Sequence, residues 1–537
     1  MASRALPAVL VAAVGALAAC TSAADPAAPS PSASSPAAPV AAVAAAVASP
    51  PPEPTLAWGP TEAMMDDALA RAAALPLEDA AGQVVVAAVG SPDPAAAADL
   101  VARHGLGGVI LMGDAITDAD GVKALTAAVS AADDREWPVW ISVDEEGGLV
   151  SRLREVITPM PSFMAAGAAT DKAVVERVYA SQAAQIRDLG IGIDFAPVAD
   201  MTVGPSDPII RTRSAGDRAE DVAATVEAAV AGFADAAVVP VLKHFPGHGS
   251  VTADSHRELP VQEASVAELA DRDLVPFARA IDAGAPAVMV AHIAVPEWGD
   301  EPATLQPEAY AYLREELGFT GVAVTDALNM GAIANHHGPG EAAALALAAG
   351  ADVLLMPASA DDAVAGIVAA VQEGGLSRER LDQAVARMTL MLEWSAGAEP
   401  EAVPLEDPAY ALGVAGTTLA TADCDAPLVT EAATVVAAAP RPRAALEDAL
   451  RKRGIDVGDD GPRIVLMGSG RDAVTADVVV STGAPFGLER SDADAYVATY
   501  GSTDASMRAL ADVLTGAAAP GGTWPVAMPG MPFPACA

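Results

Sequence analysis

The segment Lys243-His244-Phe245-Pro246-Gly247-His248-Gly249, followed by Asp254-Ser255-His256, concentrates proton-transfer chemistry: three of the chain's seven histidines fall within these fourteen positions. His244 and His248 are four apart, a spacing that presents two metal ligands on one helix face. Pro246 and Gly247 lie between them and break such a helix, so no metal site is expected. In an extended segment residues i and i+2 point to the same side. Asp254 can therefore accept a hydrogen bond from one imidazole nitrogen of His256, fixing its tautomer and raising its basicity. Such a pair is a general acid/base carried on a loop, although spacing alone leaves an incidental solvated triplet open. Gly247 and Gly249 make the loop mobile, which suits a lid that brings a proton donor to bound substrate. Asp326 follows an apolar run in Val324-Thr325-Asp326-Ala327, where an aspartate serves as nucleophile, base or cap of the next helix. Asp144, Arg152, Lys243 and His244 add donors and acceptors suited to a polyhydroxyl ligand.

These residues need a scaffold that converges them. Short apolar runs at 84–89, 108–112, 139–143, 191–196, 238–242, 287–290, 321–324 and 353–356 are each followed by a polar or glycine cluster and then an alanine-rich helical stretch. Eight strands alternating with helices indicate parallel βαβ units. The expected fold class is α/β: a closed (β/α)8 TIM-like barrel over 61–400, then a smaller C-terminal α/β domain over 401–537. Charged residues follow the runs in turn: Asp144 the third, Asp200 the fourth, Lys243 and His244 the fifth, His292 the sixth, Asp326 the seventh. The C-terminal ends of barrel strands share one mouth, whereas a doubly wound sheet draws on fewer strands at one crevice. Beyond residue 404, strands are expected at 434–438, 463–467, 478–481 and 495–499, with helices at 444–453 and 505–514.

Composition narrows the function. The 537 residues carry 30 Lys and Arg against 71 Asp and Glu, a net charge of −41, which repels nucleic-acid phosphates and anionic lipid headgroups. Nucleic acid is excluded as a partner. The positive mean hydropathy comes mainly from alanine, and the only long uncharged apolar stretch is N-terminal, so a polytopic membrane protein is excluded. Arg4 followed by the apolar run 6–19 reads as an export signal, too short for a comfortable span. Leu17-Ala18-Ala19-Cys20 resembles the bacterial lipobox, which implies a signal over 1–19, lipidation of Cys20 and attachment to the outer face of the cytoplasmic membrane by a lipid anchor alone. Residues 20–60, rich in Ala, Pro and Ser, are expected to be a disordered tether. Export permits disulfides, and Cys424 and Cys536 are expected to pair, clamping the C-terminus to the start of the last domain.

The motifs, taken in order, resemble the β-N-acetylglucosaminidase branch of glycoside hydrolase family 3. Lys243 to His256 is similar to that branch's Lys-His-(Phe/Ile)-Pro-Gly-His-Gly…Asp-(Ser/Thr)-His pattern, and Asp144-Glu145-Glu146-Gly147-Gly148 with Arg152 to its Asp-x-Glu-Gly-Gly…Arg segment. Phe195 to Asp200, Leu313 to Phe319 and Ala349 to Asp352 also match. The resemblance implies a retaining mechanism in which Asp326 attacks the anomeric carbon, while His256, paired with Asp254, protonates the departing oxygen and then activates water. It implies that Asp144, Arg152, Arg213, Lys243 and His244 bind the N-acetylglucosamine ring; no cofactor is expected. Around Arg213 the chain reads Arg211-Thr212-Arg213-Ser214-Ala215, where the family has Gly-Asp-Arg-(Ser/Ala)-Phe: two arginines and no aromatic. The second domain supplies a donor glutamate in the glucosidase branches; here the histidine loop makes one redundant, and Glu447 and Glu489 are expected at the surface. The expected function is release of terminal N-acetylglucosamine from peptidoglycan fragments or related glycans. The alternatives are a phosphorylase using the same histidine dyad and a sugar-binding surface lipoprotein without catalysis.

Overall fold

The computed structural model describes residues 53–469 and 472–536; the signal, Cys20 and the tether up to residue 52 lie outside them. Eight parallel strands form the expected barrel: β1 Val85–Val89, β2 Gly108–Leu111, β3 Trp140–Val143, β4 Ile193–Asp194, β5 Val239–Phe245, β6 Ala287–Val290, β7 Val322–Thr325 and β8 Leu354–Leu355. Their order in the sheet is β8-β1-β2-β3-β4-β5-β6-β7. Closure between β7 and β8 rests on the bridge Val324 to Val353 and on the Leu355 amide donating to Thr325 Oγ1 at 2.9 Å. The strands read as continuous apolar runs because helices cover the outside while side chains fill the inside.

The outer helices carry sequence-readable ends and faces. Helix Lys172–Asp188 is capped by Asp171, which accepts from the Ala173 amide at 3.0 Å. It buries Val175, Val178, Tyr179, Ala183 and Ile186, a helical stripe. Tyr179 meets Phe163 edge-on at 5.6 Å and Phe233 of helix Ala219–Asp235 at 5.9 Å.

Three local expectations are corrected. The tether reading covered residues to 60, but Trp58 is buried and Gly59 lies against the Trp394 ring; one anchored aromatic outweighs the composition around it. β4 itself spans only Ile193–Asp194 of the run 191–196, although the Phe195 amide still donates to Val143 and the Ala196 carbonyl accepts from Val241. β5 runs to Phe245, so Lys243 and His244 lie within the strand rather than after it.

The second domain has a six-stranded sheet: β9 Thr418–Thr421, β10 Ala432–Ala437, β11 Asp456–Val457, β12 Arg463–Met467, β13 Val478–Ser481 and β14 Ala495–Ala498, in the order β9-β14-β13-β12-β10-β11. β9, absent from the sequence reading, runs antiparallel to β14 at the edge nearest the barrel. Backbone hydrogen bonds dock the domain on the barrel, including Ser162 to Tyr500 at 3.1 Å and Thr523 to Ala168 at 2.9 Å. Cys424 and Cys536 are bonded, with Cα atoms 5.4 Å apart, and hold the C-terminal segment beside β9. Glu447 is paired with Arg443 and Arg451, and Glu489 accepts from the Gly530 amide.

At the barrel seam, Asp352 is fully buried and is reached by Arg314 at 2.6 Å, Arg380 at 2.7 Å and Arg387 at 3.1 Å, while its second role is to accept the Ala323 amide of β7. Burial favours its neutral form, but the charges of Arg387, Arg314 and Arg380 outweigh burial and hold the carboxyl below its ordinary value. Asp352→Asn is expected to lower the unfolding free energy by about 3–5 kcal/mol, read by urea denaturation at neutral pH. A folded pKa below the unfolded one makes this contribution complete above about pH 3.9 and lost as pH falls through the folded value. The gap between wild type and variant should therefore close on acidification.

Candidate active site

The mouth of the barrel is built outward from β3. Asp144 follows that strand and leads into a hairpin of Glu145–Gly147 and Val150–Ser151. Glu145 faces away from the mouth: its carboxylate accepts from Ser151 Oγ at 2.5 Å and from the Leu153 amide at 2.7 Å, and its own amide donates to Asp194 at 2.8 Å. Burial pushes Glu145 up to about 7 and Asp194 well above the usual carboxylate range. With Glu145 turned inward, alternation along the strand sends Asp144 and Glu146 together to the mouth.

Lys243 Nζ sits between them, 2.7 Å from Asp144 and 2.6 Å from Glu146. Arg213 forms a two-pronged pair with Glu146, both contacts 2.8 Å. Burial opposes ionisation of Glu146, but the adjacent Arg213 and Lys243 charges bring it down to about 2. Burial likewise opposes charge on Lys243, and Asp144 and Glu146 outweigh it, raising its pKa. Consecutive strand residues normally face opposite sides. Here the register of β5 against β6 shifts between Leu242 and Phe245, and both Lys243 and His244 line the mouth. His244 Nδ1 donates to Asp200 at 2.6 Å, and its Nε2 faces Arg213 at 3.4 Å as acceptor. Of the two arginines in the altered segment, Arg213 turns inward and Arg211 does not.

Asp326 stands one residue past β7. Its Oδ1 accepts from the Ala327 amide at 2.7 Å, and Oδ2 is without a hydrogen bond among the described residues. His292, fully buried, donates from Nε2 to the Ala327 carbonyl at 2.9 Å, and its Nδ1 lies 2.7 Å from Thr304 Oγ1, which steadies this turn. Burial works to raise the Asp326 pKa, but the His292 and His244 imidazoles and the Ala327 N–H hold it below the ordinary value.

The loop beyond β5 closes the far side. His256 Nδ1 lies 2.8 Å from Asp254, whose same oxygen accepts the His256 amide at 3.0 Å. The pairing expected of an extended segment is made instead by a turn, in which the Arg257 amide donates to the Asp254 carbonyl at 2.9 Å. Ser255 points down, with Oγ 2.7 Å from Nε2 of buried His248. Burial and the neighbouring His244 lower the His248 pKa to about 4. The His256 side chain remains 62% exposed at the rim.

One cavity of about 340 Å³ thus gathers Asp144, Arg152, Arg213, Lys243, His244, His256 and Asp326, with Asp254 behind His256. Cys424 and Cys536 lie away from it in the second domain. His244 and His248, the pair with metal-like spacing, are committed to Asp200 and Ser255; among the described residues no group of three acidic, histidine or cysteine side chains could hold a metal ion. Glu146 was not singled out by sequence, though its i+2 relation to Asp144 was available. Met112, Ile209, Met289 and Met356 form an apolar part of the wall that no spacing signalled.

Residues 77–391 match the glycosyl hydrolase family 3 N-terminal domain. β-Hexosaminidase A of Pseudoalteromonas piscicida is 32% identical over 327 residues, 55% of this chain and 54% of its own, so the chain spans about half of that relative's length. β-Hexosaminidase LpqI of Mycobacterium tuberculosis is 37% identical over 318 residues, 56% of this chain and 80% of its own. Among solved structures, a family 3 β-N-acetylglucosaminidase from Paenibacillus sp. superposes with a TM-score of 0.75 at 30% identity, covering 84% of this chain and 99% of its own. A β-glucoside phosphorylase at 20% identity and a TM-score of 0.74 shares the fold. The chain belongs to glycosyl hydrolase family 3, in its β-hexosaminidase branch.

Proposed function

We propose that the chain is a retaining exo-β-N-acetylglucosaminidase that removes terminal N-acetylglucosamine from peptidoglycan fragments or related glycans. The observation that carries this reading is the placement of Asp326, held ionised with one oxygen free, in the same cavity as a histidine whose second nitrogen is tied to a carboxylate. Asp144, Arg152, Arg213, Lys243 and His244 hold the sugar hydroxyls. Oδ2 of Asp326 bonds to the anomeric carbon as the bond to the aglycone oxygen breaks, and the imidazolium of His256 gives its Nε2 proton to that oxygen. Water then attacks the same carbon, its proton passes to Nε2, and the Asp326 ester opens. Asp254 stabilises the imidazolium and fixes Nδ1 as the inner donor. The apolar wall from Met112, Ile209, Met289 and Met356 lowers the local dielectric and strengthens these contacts. The lipobox-like sequence ending at Cys20 and the bonded Cys424 and Cys536 support a site of action outside the membrane, on a lipid anchor.

Hydrolysis of a nitrophenyl β-N-acetylglucosaminide and of an unactivated disaccharide tests the roles. Asp326→Ala is expected to abolish both. His256→Ala should cost about 10²–10⁴-fold in kcat/KM on the disaccharide and less on the aryl substrate, whose leaving group needs little protonation. Equal losses on the two would remove His256 from the acid role. Added phosphate should leave the rate unchanged; sugar 1-phosphate among the products would make the enzyme a phosphorylase.

Arg152 separates binding from folding, because its side chain is exposed and lines the cavity. Arg152→Ala should leave the unfolding free energy within about 0.5 kcal/mol. The same change should raise KM about tenfold through one lost charge-assisted hydrogen bond. An unchanged KM would take Arg152 out of the sugar site.

A further inference from the structure

The loop bearing His256 does not stand free of the barrel: it rests on the segment that follows the nucleophile. After Asp326 the chain turns into the short helix Gly331–Ala334. The Gly331 amide donates to the His256 carbonyl at 3.1 Å, the Ala332 amide to the Ser255 carbonyl at 3.2 Å, and Asn335 Nδ2 to the Arg257 carbonyl at 3.2 Å. Three successive loop carbonyls are thus received by one turn of chain. A Cβ on Gly331 would lie 2.7 Å from the His256 oxygen, 2.9 Å from the Arg257 oxygen and 3.0 Å from the Arg257 carbonyl carbon. All three are backbone atoms, which cannot swing aside as a side-chain end can. Gly331 does not have a positive φ, so its conformation is open to any residue, and alanine is the better helix former. The remaining demand for glycine at this position is the space taken by the acid/base loop.

We propose that Gly331 is a positioning residue for the glycosidase reaction, the seat that sets His256 at working distance from the sugar bound over Asp326. The nucleophile and the proton donor come from different strands and are brought into register here by backbone contact. A methyl group at this seat lifts the His256 carbonyl, and with it the imidazole, while the sugar contacts from the hairpin and β5 stay in place. Ser255, held by buried His248 on the opposite side, turns the lift into a tilt of the loop rather than its release. The inference rests on the assignment of His256 as acid/base.

The test is the dependence of kcat/KM on leaving-group pKa across a series of aryl β-N-acetylglucosaminides, together with the Kd of N-acetylglucosamine, for wild type, Gly331→Ala, Asn335→Ala and His256→Ala. Gly331→Ala should steepen the dependence in the manner of His256→Ala, losing about 10²-fold on the poorest leaving group and less than about fivefold on the best. The Kd of N-acetylglucosamine should stay within about twofold, since its ring contacts are untouched. A uniform loss across the series, as a merely structural role gives, or an unchanged slope would overturn the proposal. If His256→Ala itself leaves the slope unchanged, the acid/base assignment is what has failed. Asn335→Ala removes one loop bond without adding an atom, so it decides the matter should Gly331→Ala fail to fold: a steeper slope supports the seat, an unchanged slope overturns it.

Discussion

Glu146 is an almost wholly buried anion at the base of the mouth, and the Lys243 and Arg213 cations on either side of it fix the geometry there. A buried charge costs several kcal/mol in lost hydration, and only close, well-directed partners offset that loss. Because the partners come from β5 and from the turn at Arg211–Arg213, satisfying Glu146 brings three separated segments to set distances. The same pairing leaves Lys243 one contact with Asp144 and leaves Arg213 one with His244, both on the cavity wall. The groups proposed to bind the sugar are therefore positioned by contacts within the protein itself, which would spare substrate binding the entropy of ordering them.

Rigidity is distributed unevenly around this cavity. Asp326 is steadied by Ala327 and His292 and directly follows a barrel strand whose closure is supported by the buried Asp352 cluster at the opposite end of β7 and β8. His256 is exposed and held on its loop by Asp254, by backbone and Asn335 contacts to the segment after Asp326, and by the Ser255 anchor. An attacking group gains from fixed placement, because misplacement by an ångström costs orders of magnitude in rate. A proton donor on a loop gains from being able to withdraw, because the aglycone must enter and leave past it. With Asp326 and His256 in their proposed roles, the two demands are met by placing the groups on different elements that touch where the loop rests on Gly331.

The sequence shows the barrel clearly because eight apolar runs recur at the βα period, and it shows which residues gather in the candidate site because strand ends share a mouth. Asp144, Lys243, His244 and Asp326 were legible for that reason. What escaped depends on partners far along the chain. Glu146 looks like one acid among three in a row until Arg213 and Lys243 close on it. β9 escaped because Thr418–Thr421 is a short edge strand whose pairing partner lies some eighty residues on. The extension of β5 through Lys243 and His244 arises from a register shift against β6 that no local periodicity records. Residues 53–60 carried the composition of a tether, and a single buried Trp58 sets them against the barrel.

The central claim is that Asp326 becomes covalently attached to the sugar. Brief incubation with a fluorinated N-acetylglucosaminyl fluoride, which forms such an adduct faster than water removes it, followed by proteolysis and mass spectrometry, addresses it directly. The mechanism predicts one sugar unit on the peptide containing Asp326 and none in Asp326→Ala. A label on Glu145 or Asp144 instead, or no adduct together with release of the inverted α-anomer as first product, would contradict it.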